Sequence, residues 1–209
     1  MHPFSMLVNK SHPLPSDYAP NGLVRPNIPF GDGGTSSTID PCFFQEKFLM
    51  NKTAAACLEL LFERGRAQDI CLYGVSGYRS YARQQAIYEE SVRTKGAAHA
   101  AKYIAPPGAS EHQSGLAMDV SIPALDFQLE EHFDTTKEGK WLKQFAPLYG
   151  FIIRYPQGVS HITGYAYEPW HIRFVTKPLA IYLSKTHLTL EEYHNLSSVS
   201  QSTEATKSV

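Results

Sequence analysis

Between Asn51 and Arg64 the apolar residues Ala54, Ala55, Leu58, Leu61 and Phe62 recur at the spacing of one helix face, and Gly65 stands where such a helix is expected to stop. Ile70 to Val75 is a short apolar run that predicts a buried strand, leading into a turn at Ser76-Gly77-Tyr78-Arg79. Ser80 is placed to cap a second helix reaching about Thr94, with Ala82, Ile87 and Val92 among its apolar positions and Gly96 ending it. After a loop at Ala105-Pro106-Pro107-Gly108, Leu116 to Ile122 alternates apolar with other residues, the pattern of a strand with one covered face. Lys137 to Tyr149 predicts a helix that turns Trp141, Leu142 and Phe145 inward. Phe151 to Tyr155 and Tyr167 to Val175 predict two further strands, and Pro178 to Ser184 a short helix.

The ends of the chain read differently. Residues 1–41 are punctuated by Pro13, Pro15, Pro20, Pro26, Pro29 and Pro41, with a GDGG turn at Gly31 to Gly34, and predict an extended wrapping segment. Residues 196–209 are rich in Ser and Thr, almost without large apolar side chains, and are expected to be mobile. Residues 42–195 then form one domain. Helices come early and strands cluster late, so the expected class is α+β: a mainly antiparallel sheet with helices packed on one face.

Composition narrows the function classes. At 209 residues, 43% hydrophobic and 19% charged, the chain can build a core without disulfides or a structural metal, and it is neither disordered, coiled-coil nor collagen-like. Nineteen basic against 20 acidic residues give a formal net charge of −1, so neither a nucleic-acid backbone nor an anionic membrane surface is an expected partner. No apolar run approaches the roughly 20 residues of a membrane-spanning helix, and the opening MHPFSMLVNKSHPLP lacks the pattern of a signal peptide. The three cysteines, Cys42, Cys57 and Cys71, match no metal or redox spacing and read as buried thiols of a reducing compartment. A cytoplasmic location is therefore expected if the chain is complete, and an extracellular, membrane-proximal one if a leader has been removed.

Two of the nine histidines keep special company. His112 sits in Ser110-Glu111-His112-Gln113-Ser114-Gly115-Leu116-Ala117-Met118-Asp119, and His171 ends Glu168-Pro169-Trp170-His171. Two imidazoles and one carboxylate suit Zn²⁺ with a fourth position left for water. Gly115 permits a tight turn after His112, so that His112 and Asp119 can converge. Glu168 and His171, three apart, would face opposite sides of a regular strand. Pro169 can mark a bend that brings both to one site, with Glu168 as a base that is not a ligand. Taken alone, the same residues also fit a surface His112 and a core His171.

The surrounding letters resolve the choice. Ser-x-His-x-x-Gly-x-Ala-x-Asp followed by Glu-x-Trp-His resembles the pair of signatures of the zinc D,D-carboxypeptidases and D,D-dipeptidases of the vancomycin-resistance type. Ser76-Gly77-Tyr78-Arg79-Ser80 with Gln84, Phe151 to Pro156, Ile162 to Tyr165 and Leu190 to His194 extend the likeness from about Leu7 to Asn195. The resemblance implies that His112, Asp119 and His171 hold one zinc ion and that Glu168 moves the proton of the attacking water to the leaving amine. It further implies that Arg79 faces the developing oxyanion and that Ser110 and Gln84 bind the terminal carboxylate of the substrate. A helix cap at Ser110 and a solvated amide at Gln84 explain those two equally well.

The implied activity is removal of the C-terminal D-Ala from peptidoglycan precursor stem peptides ending in D-Ala-D-Ala, with cleavage of the D-Ala-D-Ala dipeptide left open. An L,D-carboxypeptidase acting on tetrapeptide stems uses the same site and differs only in pocket shape, for which Ser121 to Gly139 is a candidate wall. A non-catalytic zinc-containing binding module, as in the hedgehog signalling domain that resembles this family in fold, is the third reading. Glu168 and Arg79 argue against it, since a purely structural metal needs neither.

Overall fold

The computed structural model describes residues 3–32 and 45–205, with the side chains of 102–103 and 198–205 excepted. Its centre is a four-stranded antiparallel sheet of β3 (Tyr73–Ser76), β4 (Ala117–Ser121), β5 (Phe151–Tyr155) and β6 (Glu168–Phe174), in the order β3-β4-β6-β5. A second, two-stranded sheet pairs β1 (Leu23–Val24) with β2 (Met50–Asn51). Around them lie α1 (Lys52–Arg66), α2 (Tyr81–Lys95), α3 (Ala97–Tyr103), α4 (Lys137–Phe145), α5 (Ser160–Thr163), α6 (Lys177–Thr186) and α7 (Leu190–Ala205). This is the expected α+β class with an antiparallel sheet.

Alternation along the strands divides the sheet into two chemistries. Met118, Val120, Phe151, Ile172 and Phe174 enter the main core, where α1 contributes Ala54, Ala55, Leu58, Leu61 and Phe62 and α4 contributes Trp141 and Leu142. Each large aliphatic or aromatic side chain buried there contributes about 1.5–3 kcal/mol. The alternate positions Asp119, Arg154, His171 and Arg173 are polar and buried as well. Strand β4 is thus covered on both faces rather than one. A smaller apolar cluster joins Ile152 and Val175 to Ala180 and Leu183 of α6 and Leu190 of α7.

Several expectations shift. Asn51 caps α1 through its side chain and Thr53 N, but the helix runs through Gly65 to Arg66. Gly65 lies within the helix against the Trp141 ring and Ile70, and the left-handed turn falls at Asp69. Helix α2 starts at the Ser80 cap and stops at Gly96, yet its buried residues are Gln84 and Ser91, while Ala82 is exposed. Helix α3, in a stretch with no element assigned to it, follows at once. Cys71 is exposed and Cys57 half-buried, not buried thiols, and Cys42 lies outside the described residues. The stretch after Asn195 continues α7 as helix to Ala205.

Residues 3–30 run across the domain with little regular structure of their own. Leu14 N donates to Gly108 O, Gln113 donates to the carbonyls of Pro15 and Tyr18, and His194 Nε2 lies 2.6 Å from Ser5 O. The expected boundary at 41/42, with the second half of the GDGG turn, lies outside the described residues. No helix among the described residues is long and apolar enough to cross a membrane.

Candidate metal centre

The sheet register assembles the site. Asp119 of β4 is the direct partner of His171 of β6. His112 comes from the short 3₁₀ turn Glu111–Ser114, which Gly115 ends at φ +69°. A side chain at Gly115 would also collide with Leu23, so both conformation and space require glycine there. Asp119 Oδ1 lies 2.9 Å from His171 Nδ1 and Asp119 Oδ2 lies 3.2 Å from His112 Nε2. One ligand atom from each of the three residues falls within 4.8 Å of the others, and all three residues are buried.

His112 is fixed from behind. Its Nδ1 lies 2.6 Å from Gly77 O, which accepts its proton and leaves Nε2 for a cation. Gly77 sits in the turn after β3, so close to the Leu49 carbonyl and Met118 that no Cβ fits. Two near-perpendicular imidazoles with centroids 5.0 Å apart, sharing one carboxylate, form a donor set that fits a divalent cation such as zinc.

Glu168 reaches the same point because β6 bulges. Between the pairs Ile153↔Ile172 and Tyr155↔Glu168 the register slips, with extra residues on β6 that include Pro169. Proline has no N–H to lose from the ladder, and the bulge turns Glu168 to the His171 side, its Oε2 3.8 Å from Nδ1. The expected bend is therefore a bulge. Burial, reinforced by the carboxylates of Asp119 and Glu111 and opposed by His171 and Arg79, pushes the Glu168 carboxyl up to about 7. Burial also penalises the imidazolium of His171, but the neighbouring carboxylates of Asp119, which is hydrogen-bonded to it, and of Glu111 outweigh it and raise His171 to about 9. His112 moves the other way: burial lowers it, with Asp119 opposing.

Arg79 closes one side. Its guanidinium donates to Gln84 Oε1 at 2.8 Å and to Ser76 Oγ at 3.1 Å, and its backbone N–H donates to His112 O. The charges of Asp119 and Glu168 act on it against the burial that lowers its pKa. Gln84 is buried, and its amide N donates to Ala105 O at 2.6 Å. The amide is neither solvated nor open towards a ligand; in this structure it holds Arg79. Ser110 is buried beside His112, and its side chain caps nothing, so the cap explanation falls away. Tyr155 packs on His171 and Tyr165 on Tyr155, with the Tyr165 hydroxyl donating to Ala109 O. Trp170 packs against the main core, and His161 is exposed on α5.

Four charged residues that the sequence reading gave no role lie directly behind the centre. Arg154 donates to Glu111 Oε1 at 2.8 Å and to both oxygens of Glu191, while Arg173 donates to Glu111 Oε1 and to the carbonyls of Phe4 and Met6. Asn9 donates to Glu191. Two cations and two anions thus neutralise each other in a buried cluster, with the arginines holding Glu111 well below the usual carboxylate range despite its burial. Arg154 and Arg173 interrupt otherwise apolar strand runs, the one signal in the sequence that marked them.

Comparison with known proteins agrees with this geometry. Residues 47–177 match the family model VanY, D-alanyl-D-alanine carboxypeptidase. The chain belongs to the VanY family. It is 36% identical to the bifunctional D-Ala-D-Ala dipeptidase and D-Ala-D-Ala carboxypeptidase VanXYC of Enterococcus gallinarum, over 90% of this chain and 92% of that protein. It is 44% identical to YodJ of Bacillus subtilis, over 90% of this chain but only 65% of YodJ's length. Among solved structures, the LdcB LD-carboxypeptidase superposes with a TM-score of 0.81 at 43% identity, covering 90% of this chain and 84% of that one. The vancomycin-resistance D,D-pentapeptidase VanY, solved as a point mutant in complex with Zn(II), superposes at 0.71 with 29% identity, covering 92% and 99%.

Proposed function

We propose that this VanY-family chain is a zinc-dependent carboxypeptidase that removes the C-terminal D-Ala from peptidoglycan stem peptides ending in D-Ala-D-Ala. The observation that carries the reading is the convergence of His112, Asp119 and His171 with an unligated Glu168 3.8 Å from His171. His112 Nε2, Asp119 and His171 Nδ1 would hold the ion. Bound there, zinc supplies the positive charge that acidifies a water and polarises the scissile carbonyl.

The protein's own groups do the rest. Glu168 takes the proton of the attacking water and delivers it to the leaving amine, a transfer that suits a carboxyl poised near neutrality. Arg79, forked between Gln84 and Ser76, meets the negative charge that develops on the carbonyl oxygen. Ser110, buried beside His112 without a capping bond, is the candidate contact for the substrate's terminal carboxylate. Glu168 and Arg79 together weigh against a non-catalytic zinc module.

The likeness to LdcB, at 43% identity, favours a second reading in which the same site removes D-Ala from tetrapeptide stems across an L,D bond. Both reactions release the same residue, so the discriminating contact lies on the stem side of the scissile bond. Mass spectrometry of products from tetrapeptide, pentapeptide and D-Ala-D-Ala dipeptide, with and without chelator, separates them. Chelator-sensitive release of D-Ala from the pentapeptide supports the D,D reading. Release from the tetrapeptide alone replaces it with the L,D one, and chelator-resistant turnover removes zinc.

A further inference from the structure

Glu111 divides its two oxygens between two tasks. Oε1 accepts from both Arg154 and Arg173. Oε2 is buried and has no hydrogen-bond partner among the described residues; His171 Nε2 is equally buried and equally unpartnered, and the two face each other at 3.6 Å. A lone donor and a lone acceptor, both buried, facing each other a few tenths of an ångström beyond bonding distance, are a matched pair. On the other side of the same ring, Nδ1 faces Asp119 Oδ1.

We infer that Glu111 is a positioning residue for the metal centre: it accepts the Nε2 proton of His171 and so leaves Nδ1, turned towards Asp119 and His112, as the nitrogen that gives up its proton to an ion. The inference rests on the metal-site reading above and adds a carboxylate that touches neither ion nor substrate. It parallels the fixing of His112, whose Nδ1 is held by Gly77 O with Nε2 left for the ion. A backbone carbonyl orients one imidazole and a carboxylate the other. Arg154 and Arg173 then act one step further out, because they fix which oxygen of Glu111 remains for His171.

The arrangement dictates what an amide in this position would do. In Glu111→Gln the amide oxygen must face the two guanidinium donors, which turns the amide N–H₂ towards His171 Nε2. That favours the tautomer protonated at Nδ1, the one that cannot ligate. Carboxylates placed behind metal-binding imidazoles typically change metal affinity by about 10–100-fold when removed.

The test is zinc affinity of the full chain, measured by competition with a chromophoric chelator at fixed pH. Near-ultraviolet circular dichroism of the metal-free protein reports the fold, and the His171 Nε2–H resonance of the zinc-loaded protein reports the hydrogen bond. Folded E111Q is expected to bind zinc about 10–100-fold more weakly and to lose the downfield, slowly exchanging Nε2–H signal. Glu111→Asp keeps the charge opposite both arginines but withdraws the carboxylate from His171 by one methylene, and the same direction of change is expected. Glu191→Gln disturbs Arg154 without touching His171 and is expected to leave zinc affinity within about threefold of wild type.

Wild-type affinity in folded E111Q overturns the assignment, as does wild-type affinity in E111D should E111Q not fold. An equal loss in E191Q overturns it too, because the effect would then belong to the cluster as a whole. A wild-type chain that binds no zinc fells the metal reading itself, an outcome distinct from normal wild-type binding with an unaltered E111Q.

Discussion

Asp119 touches both imidazoles of the centre, but only its contact with His171 is enforced by the sheet: the two are register partners across β4 and β6, with Oδ1 2.9 Å from Nδ1. Without an ion, that contact and Glu111 keep a proton on His171 up to a pH of about 9. The imidazole must surrender it to bind a cation.

Zinc uptake should therefore be proton-linked. Because the pKa of His171 is raised, the competing proton is held below about 9 and leaves as pH rises through that value. Zinc affinity should climb by roughly tenfold or more per pH unit across the neutral range and flatten above it. Calorimetry in buffers of differing ionisation enthalpy should register more than one proton released per zinc at pH 7, the His171 proton together with the part of the Glu168 proton that the cation expels. A pH-independent affinity between 6 and 8 would contradict this.

Glu168→Gln should retain zinc and the fold while lowering turnover by about 10² or more, since only the proton carrier is removed. In wild type the base works ionised, so activity should fall as pH drops through the Glu168 pKa. That value is about 7 without an ion and lower once a cation stands beside the carboxylate. The kcat/KM profile of the wild type, and loss of its acidic limb in any residual E168Q activity, check the assignment.

Arg79→Lys should cost about 10²–10³ in kcat with little change in thermal midpoint. Lysine keeps the charge but cannot fork between Gln84 and Ser76, so the donor loses its aim. Comparable kcat in R79K would show that Arg79 supplies field alone.

His112, Asp119, Glu168 and His171 were legible through the resemblance of their two motifs to a known family, since the residues alone also fitted a surface His112 and a core His171. Gly115 and Pro169 added only that a turn and a bend could bring them together. The strands were legible as apolar runs bounded by glycine, proline and polar turns. What alternation could not show is which face a charge enters. Arg154 and Arg173 sit at strand positions that look solvent-facing until Glu111 and Glu191 are known to lie opposite. Helix α2 misled in the reverse sense, since its buried residues are Gln84 and Ser91 and its apolar ones cover little. Such polar contacts between distant segments leave no period in the chain.

Gly77→Ala offers a test of the support behind His112. A methyl group there would overlap the Leu49 carbonyl and press on Met118, so the turn must move and carry its own carbonyl away from His112 Nδ1. A destabilisation of about 1–3 kcal/mol is expected, with weakened zinc binding in the same variant. Chemical denaturation and chelator competition measure the two effects separately.

The buried ionic cluster joins segments far apart in the chain: Asn9 to Glu191 spans 182 positions, and Arg173 donates to the carbonyl oxygens of Phe4 and Met6. During synthesis the first residues emerge long before their partners, so this cluster can close only after Glu191 has left the ribosome. Until then Arg154, Arg173 and Glu111 lack part of their neutralising company, and the centre they stand behind cannot be finished. Completion of the centre is thereby deferred until α7 has been made, and a chain cut short before α7 should stay inert however well its sheet has formed.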